Sequence, residues 1–162
     1  MGGLIKVGMA DLKLCLPPEG ITTLGLGSCV GVAIRDTNNK IGGLAHVMLP
    51  DSKAIKNAGT NLAKFADTGV MELVRLMEQK GARRIRMVAK IAGGAKMFDF
   101  KNDNALMQVG DRNVEAVKKK LKELGIRLLA EDCGLNFGRT VEFFPETGDF
   151  VIKAVGKPVK TI

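Results

Sequence analysis

Two apolar runs, residues 30–35 and 41–49, are joined by Asp36-Thr37-Asn38-Asn39-Lys40 and closed off by Pro50-Asp51-Ser52. This is the tightest constraint in the chain, because turn-forming residues between β-prone apolar segments predict a β-hairpin. Side chains alternate between the two faces of a strand. One side of the hairpin collects Val30, Val32, Ile34, Ile41, Ala45, Val47 and Leu49, a core face. The other carries Cys29 and His46 beside Gly31, Ala33 and Gly42. With a two-residue turn at Asn38-Asn39, Thr37 pairs with Lys40 and Cys29 falls opposite Met48; with a four-residue loop, Cys29 falls opposite His46. In both even-length cases the pair shares a face, as direct or diagonal neighbours, whereas an odd loop would separate them. The small residues on that face leave room above the sheet for something to enter.

Around the hairpin, residues 4–16 alternate through Ile5, Val7, Met9, Leu12, Leu14 and Leu16 and predict one or two short strands. Pro17-Pro18-Glu19-Gly20 is a turn, and residues 22–26 form a strand broken at Gly27-Ser28. Residues 51–60 are polar and irregular, a mobile loop. Leu62, Phe65, Ala66, Gly69, Val70, Leu73, Leu76 and Met77 recur at helical spacing up to Gly81. Residues 84–91 alternate as a strand, with Ile85, Met87, Ala89 and Ile91 on one face, until Gly93-Gly94 interrupts it. Asp111 or Asn113 caps a second helix with Val114, Val117, Leu121 and Leu124 inward and Gly125 at its end. Residues 126–130, 140–144 and 150–155 are further strands, the last two joined by a turn at Glu146-Thr147-Gly148-Asp149. Strands at both ends with helices between them predict an α/β (α+β) assembly of mixed sheets with helices on one side. The 162 residues suit a single domain over 1–162. A chain of that size buries about 70% of its unfolded surface and needs no disulfide staples.

Charge and cysteine usage narrow the function classes. The chain has 25 basic and 17 acidic residues, net +8. The basic residues are scattered, with Arg83, Arg84 and Arg86 in one place and Lys118, Lys119, Lys120 and Lys122 in another. There is no Tyr or Trp, and the seven Phe are not interleaved with those clusters, so a base-stacking platform is not expected. An acidic protein partner suits the charge better than nucleic acid does. The longest apolar stretches, 25–34 and 41–50, fall short of the ~20 residues of a spanning helix, so no membrane insertion is expected. Lys6, Asp11 and Lys13 interrupt any secretory apolar region near the N-terminus. The three cysteines, Cys15, Cys29 and Cys133, are odd in number and fit no disulfide framework or CxxC site, which suits a reducing cytoplasm. His46 is the one histidine, and a zinc site would need it and all three cysteines together, so no metal is expected. Gly25-Leu26-Gly27 and Gly93-Gly94-Ala95-Lys96 lack the spacing of a phosphate-binding loop.

The hairpin's Cys29 and His46 remain. A cysteine attacks a carbonyl as thiolate, and a free pKa of about 8.5 leaves little of it at neutral pH without a nearby base. His46 is the one imidazole available, and an imidazole base needs a third group to fix its tautomer. Thr23 shares parity with Gly25, Gly27 and Cys29, so an unbroken strand brings its hydroxyl to the same face. It brings no charge and is a weaker orienter than Asp. The Gly27-Ser28-Cys29 turn lets backbone N–H groups approach a carbonyl closely, a candidate oxyanion site. Against this, a lone cysteine at a strand start often packs as a small hydrophobe, and a lone histidine on an apolar strand is usually structural. The residues alone leave the pair open between core and catalysis. Cys15 and Cys133 have no such partner and read as structural.

Thr23-Leu24-Gly25-Leu26-Gly27-Ser28-Cys29-Val30, then His46-Val47-Met48-Leu49-Pro50, resemble the CheD family of chemoreceptor glutamine deamidases. The likeness continues through Lys64-Phe65-Ala66-Asp67, Ala89-Lys90-Ile91-Ala92-Gly93-Gly94-Ala95, Gly110-Asp111-Arg112-Asn113, and Asp132-Cys133-Gly134 to Gly138-Arg139. The resemblance implies an α/β/β layered sandwich like that of cysteine-dependent toxin deamidases. It implies a Cys29 nucleophile, a His46 base and an orienting Thr23, with no cofactor. It implies chemoreceptor cytoplasmic helices as substrate, a CheC-type phosphatase of phosphorylated CheY as partner, and a receptor methylesterase side activity. A non-catalytic regulatory partner of that phosphatase is the alternative it leaves. The family pattern has a second glycine after Gly134, where this chain has Leu135.

Overall fold

The computed structural model describes residues 3–54, 59–97 and 109–162. Among the described residues ten strands and two helices follow one another: β1 Leu4–Val7, β2 Asp11–Cys15, β3 Gly20–Leu26, β4 Val30–Asp36, β5 Gly42–Val47, α1 Ala66–Gln79, β6 Met87–Gly93, α2 Val109–Glu123, β7 Arg127–Cys133, β8 Arg139–Phe144, β9 Asp149–Lys153 and β10 Lys160–Thr161. They form two five-stranded mixed sheets, β1-β3-β8-β9-β10 and β2-β5-β4-β6-β7. The β1/β3 and β6/β7 pairs are parallel and the others antiparallel.

Two cores separate three layers. Val70, Leu73, Val74 and Met77 of α1 and Val117 and Leu121 of α2 pack on Val30, Val32, Ile34, Ala45 and Val47 of the second sheet. Its other face, with Cys29, Ala33, Leu44 and Ala92, meets Ile21, Leu26, Val141, Phe143, Phe150 and Ile152 of the first sheet. The expected layered sandwich of mixed sheets, with helices on one side, is the observed architecture.

The hairpin has a four-residue loop, Thr37–Lys40, closed by hydrogen bonds between Asp36 and Ile41 and between Lys40 and Asp36. It nonetheless keeps the register expected of the two-residue turn, because a loop grown symmetrically about Asn38-Asn39 shifts nothing. Val30 pairs with Val47 and Gly31 with His46, which sets Cys29 diagonal to His46 rather than opposite it. The loop is held by Asp36, a fully buried carboxylate. It accepts from the N–H groups of Asn38 and Arg83 and from Arg86 Nε at 2.8–2.9 Å.

The small residues beside Cys29 and His46 do not open a space above the sheet; they admit the facing sheet. A Cβ on Gly31 would stand 3.0 Å from Leu26 Cδ1, and one on Gly42 would stand 2.8 Å from Pro145 Cγ. Other expectations shift by a turn or less. Residues 84–86 form a 3-10 turn before β6, and Ile85 is 88% exposed rather than on the buried face. Leu62 lies in a 3-10 turn before α1 and is exposed. Asn113 is not a cap but a buried residue inside α2. In the expected 51–60 loop, Ser52–Ala54 make a 3-10 turn fastened by Ser52 N–H and Oγ–H donating to Asp67. Residues 55–58 lie outside the described residues. Several cations of the scattered clusters are paired: Arg86 with Asp36, Arg84 with Glu78 and Lys118 with Glu131.

Candidate active site

β4 and β5 carry Cys29 and His46 to the inner face of the second sheet. Cys29 sits one residue before β4 and is 8% exposed; His46 is fully buried. Thr23 arrives from the first sheet, not along the same strand. Gly25 has φ +68°, and the β3/β8 register slips between Thr23 and Leu26. That bulge breaks the expected parity of Thr23 with Cys29. Thr23 reaches the site because the sheets face each other: Thr23 Oγ1 lies 2.7 Å from His46 Nδ1.

The same hydroxyl lies 2.8 Å from the Val7 carbonyl oxygen. A hydroxyl has one proton and a carbonyl has none. Both contacts are hydrogen bonds in a single arrangement, in which His46 Nδ1–H donates to Thr23 Oγ1 and Thr23 O–H donates to Val7. That fixes the proton on Nδ1 and leaves Nε2 as a bare acceptor. His46 Nε2 is buried with no hydrogen-bond partner among the described residues. The carboxylate cross-strand from His46, Asp11, does not compete for the ring. It accepts from the Leu12 N–H at 2.8 Å and the Gly8 N–H at 3.4 Å.

Burial sets the resting protonation of the pair. It pushes the Cys29 thiol up, an effect partly offset by the Cys29 backbone N–H. It pushes the His46 imidazole down. Both effects disfavour charge, so the pair rests as neutral thiol and neutral imidazole. Cys15 donates to the Glu19 carbonyl, and Cys133 is pushed up to about 12, first by burial and then by Glu131. Neither of these contacts brings an imidazole to the thiol.

The Cys29 loop is clamped by backbone. Gly94 N–H donates to Cys29 C=O at 2.9 Å and Ala95 N–H to Gly27 C=O at 2.8 Å. Gly93 has φ +115°, and a Cβ there would lie 2.2 Å from Cys29 O, so a side chain is excluded. Of the oxyanion candidates, Gly27 has already committed its N–H to Gly25 C=O at 3.1 Å. The Ser28 and Cys29 N–H groups have no hydrogen-bond partner among the described residues. No cluster of three or more His, Cys, Asp or Glu residues suited to a metal ion occurs among the described residues.

Two further buried polar residues lie near the loop. Asn113 donates from Nδ2 to Ser28 C=O at 2.8 Å and Met48 C=O at 2.9 Å. Arg139 is 1% exposed and donates to Asp132 and to Gly134 C=O while its guanidinium stacks 4.4 Å from the Phe137 ring centroid. The sequence does signal the first: Gly110, Asn113, Val117 and Leu121 form one helical stripe, and a polar residue within it is a buried one.

Residues 48–154 match the family described as CheD chemotactic sensory transduction. Over all 162 residues, the chain is 59% identical to a probable chemoreceptor glutamine deamidase CheD of Lachnoclostridium phytofermentans, with both chains covered in full. It is 52% identical to the chemoreceptor glutamine deamidase CheD of Halalkalibacterium halodurans, again with full coverage of both. Against the Bacillus licheniformis protein of the same name it is 49% identical over 159 residues, 98% of this chain and 95% of that one. The family match begins after Thr23, Cys29 and His46; the full-length relatives span them.

Proposed function

The chain belongs to the CheD family, and from that premise we propose that it hydrolyses the side-chain amide of glutamines on chemoreceptors to glutamate and ammonia, as part of chemotactic adaptation. Residues 1–162 act as one deamidase domain in the cytoplasm, where the receptor signalling helices lie. Among the described residues no helix is long and apolar enough to cross a membrane.

In this reading Cys29 Sγ attacks the amide carbon while His46 Nε2 takes the thiol proton. The pair rests neutral, so attack and proton transfer are coupled rather than starting from a preformed thiolate. The Cys29 and Ser28 N–H groups steady the oxyanion of the tetrahedral intermediate. On collapse the C–N bond breaks, His46 returns the proton to nitrogen and ammonia leaves a thioester. Water attacks the thioester with His46 again as base, releasing glutamate and restoring the thiol. Thr23 holds the ring in its tautomer throughout. The acyl-enzyme from a receptor methyl ester would be the same species, which gives a side activity on such esters. A CheC-type phosphatase competes with the receptor for the same protein.

The observation that carries this reading is the Val7–Thr23–His46 chain of hydrogen bonds, which leaves Nε2 bare on a ring carried by the same inner sheet face as Cys29. The test is mass spectrometry of a chemoreceptor cytoplasmic fragment incubated with the protein. Amide-to-acid conversion adds about one mass unit at a definite glutamine. Conversion by the wild type and none by Cys29→Ala is expected; equal conversion by both would sink the thioester mechanism.

A further inference from the structure

Asn113 takes no part in the steps above, yet it touches both chain segments that carry them. Its side chain is fully buried within α2, and both carbonyls it bonds belong to other elements: Ser28 C=O, one residue before Cys29, and Met48 C=O, two residues after His46. Only the amino end of a carboxamide can face two carbonyls, so the chemistry fixes which way the amide points. Both of its protons are used, and Oδ1 is buried without a partner among the described residues.

The Ser28 carbonyl and the Cys29 N–H belong to one planar trans peptide, in which they point in opposite directions. Holding the Ser28 oxygen against α2 therefore aims the Cys29 N–H away from the helix. The second bond ties the end of β5 to the same side chain, so one carboxamide sets the spacing between the Cys29 loop and the His46 strand. α2 supports the arrangement from behind: a Cβ on Gly110 would stand 2.6 Å from the carbonyl oxygens of Gly94 and Ala95, the residues whose N–H groups clamp the loop.

We propose that Asn113 is a positioning residue for the deamidation: it orients the Ser28–Cys29 peptide and fixes the Cys29 loop relative to His46. This rests on the reading of Cys29 and His46 as the reacting pair. Its consequence is that receptor binding and catalysis separate on substitution. Asn113 is fully buried and reaches a docked receptor only through the Cys29 loop and the end of β5 that it holds.

The test compares wild type with Asn113→Ala and Asn113→Asp, the second keeping the shape while offering the two carbonyls a carboxylate without donors. Folding is followed by the thermal melt, and competent sites are counted by stoichiometric alkylation of Cys29 with iodoacetamide. Deamidation of a receptor cytoplasmic fragment then gives kcat per competent site and KM, read on whichever variant melts cooperatively. The expected result is a kcat lower by about 10- to 100-fold, the scale of a small misplacement of reacting groups, with KM within about twofold. An unchanged kcat per competent site would overturn the proposal, as would a loss confined to KM. Failure of both variants to fold would also overturn it, because Asn113 would then serve the fold and not the site. A wild type without deamidase activity would take down the functional reading and this one together; an active wild type matched by both variants takes down only this one.

Discussion

Removing the Thr23 hydroxyl should disable the base without touching the nucleophile. Thr23→Val keeps the β-branched shape and deletes one oxygen. In the structure that oxygen accepts from His46 Nδ1–H at 2.7 Å and donates to Val7 C=O at 2.8 Å. Both partners are left in the buried space between the sheets. Each unsatisfied group costs about 1–3 kcal/mol, so stability should fall by about 2–6 kcal/mol. At about 2–4 °C per kcal/mol for a chain of this size, the melting temperature should drop by about 4–24 °C. The catalytic effect is separate. A hydrogen bond worth about 1–1.5 kcal/mol selects the Nδ1–H tautomer, so its loss depletes the productive form by about five- to tenfold. Loss of ring orientation adds to that, and kcat should fall by about 10- to 100-fold. Thr23→Ser, which keeps the hydroxyl, should stay within a few-fold of wild type. His46 is the one histidine, so a nitrogen-15 spectrum reports its tautomer without overlap. If folded Thr23→Val keeps the proton on Nδ1 and turns over at the wild-type rate, the relay from Val7 through Thr23 to His46 has no role in catalysis.

Further outcomes can be checked with the same receptor fragment. His46→Ala should lose about 10²–10⁴-fold in rate, while Cys15→Ala and Cys133→Ala keep activity, since both thiols stand apart from the imidazole. Burial pushes His46 down and Cys29 up. The neutral pair should therefore persist from below about pH 6.5 to above about pH 8.5. The profile of kcat/KM should be flat between those values, and a rise tracking a thiolate near neutrality would contradict it. Burial raises the Asp36 carboxyl, but hydrogen bonds from Arg86 and from the N–H groups of Arg83, Asn38 and Asn39 outweigh it and hold it at about 2. With an unfolded value near 3.9, that contributes about 2–3 kcal/mol above about pH 5, lost as pH falls through about 2. Asp36→Asn should thus lower the melting temperature at pH 7 and flatten its acid dependence, as calorimetry would read. Gly93→Ala should lose both stability and deamidation, because its Cβ would enter the Cys29 carbonyl; a wild-type melt for that variant would contradict the clamp.

What the sequence made legible was the part governed by alternation. The hairpin's symmetric loop preserved parity, so Cys29 and His46 share a face whichever even length the loop takes. Parity failed where the backbone departs from a regular strand. Gly25 at φ +68° carries the β3 bulge, and residues 84–86 coil into a 3-10 turn that throws Ile85 into solvent. Gly31 and Gly42 differ in kind. Small residues on a strand admit whatever packs above them, and a pattern along one chain segment does not say whether that is a ligand or the other sheet. Here it is Leu26 and Pro145.

The same limit applies to Thr23 and Asn113, which neither strand parity nor cap spacing places. Each acts across a layer boundary. Thr23 meets His46 through the contact of the two sheets, and Asn113 meets the Cys29 loop through the contact of a helix with the strand ends. The sequence blocks that stand apart from the Cys/His hairpin take their meaning from those contacts. Gly93-Gly94-Ala95 clamps the Cys29 loop, and Gly110 and Asn113 brace that clamp and the loop itself. Glycine is required at 93 by a carbonyl, at 110 by two more, and the carboxamide at 113 by a further two. These are demands of backbone packed on backbone around one cysteine. They bear on a substituent's size and donors rather than on its hydrophobicity, which is why a reading based on apolar periodicity passes over them.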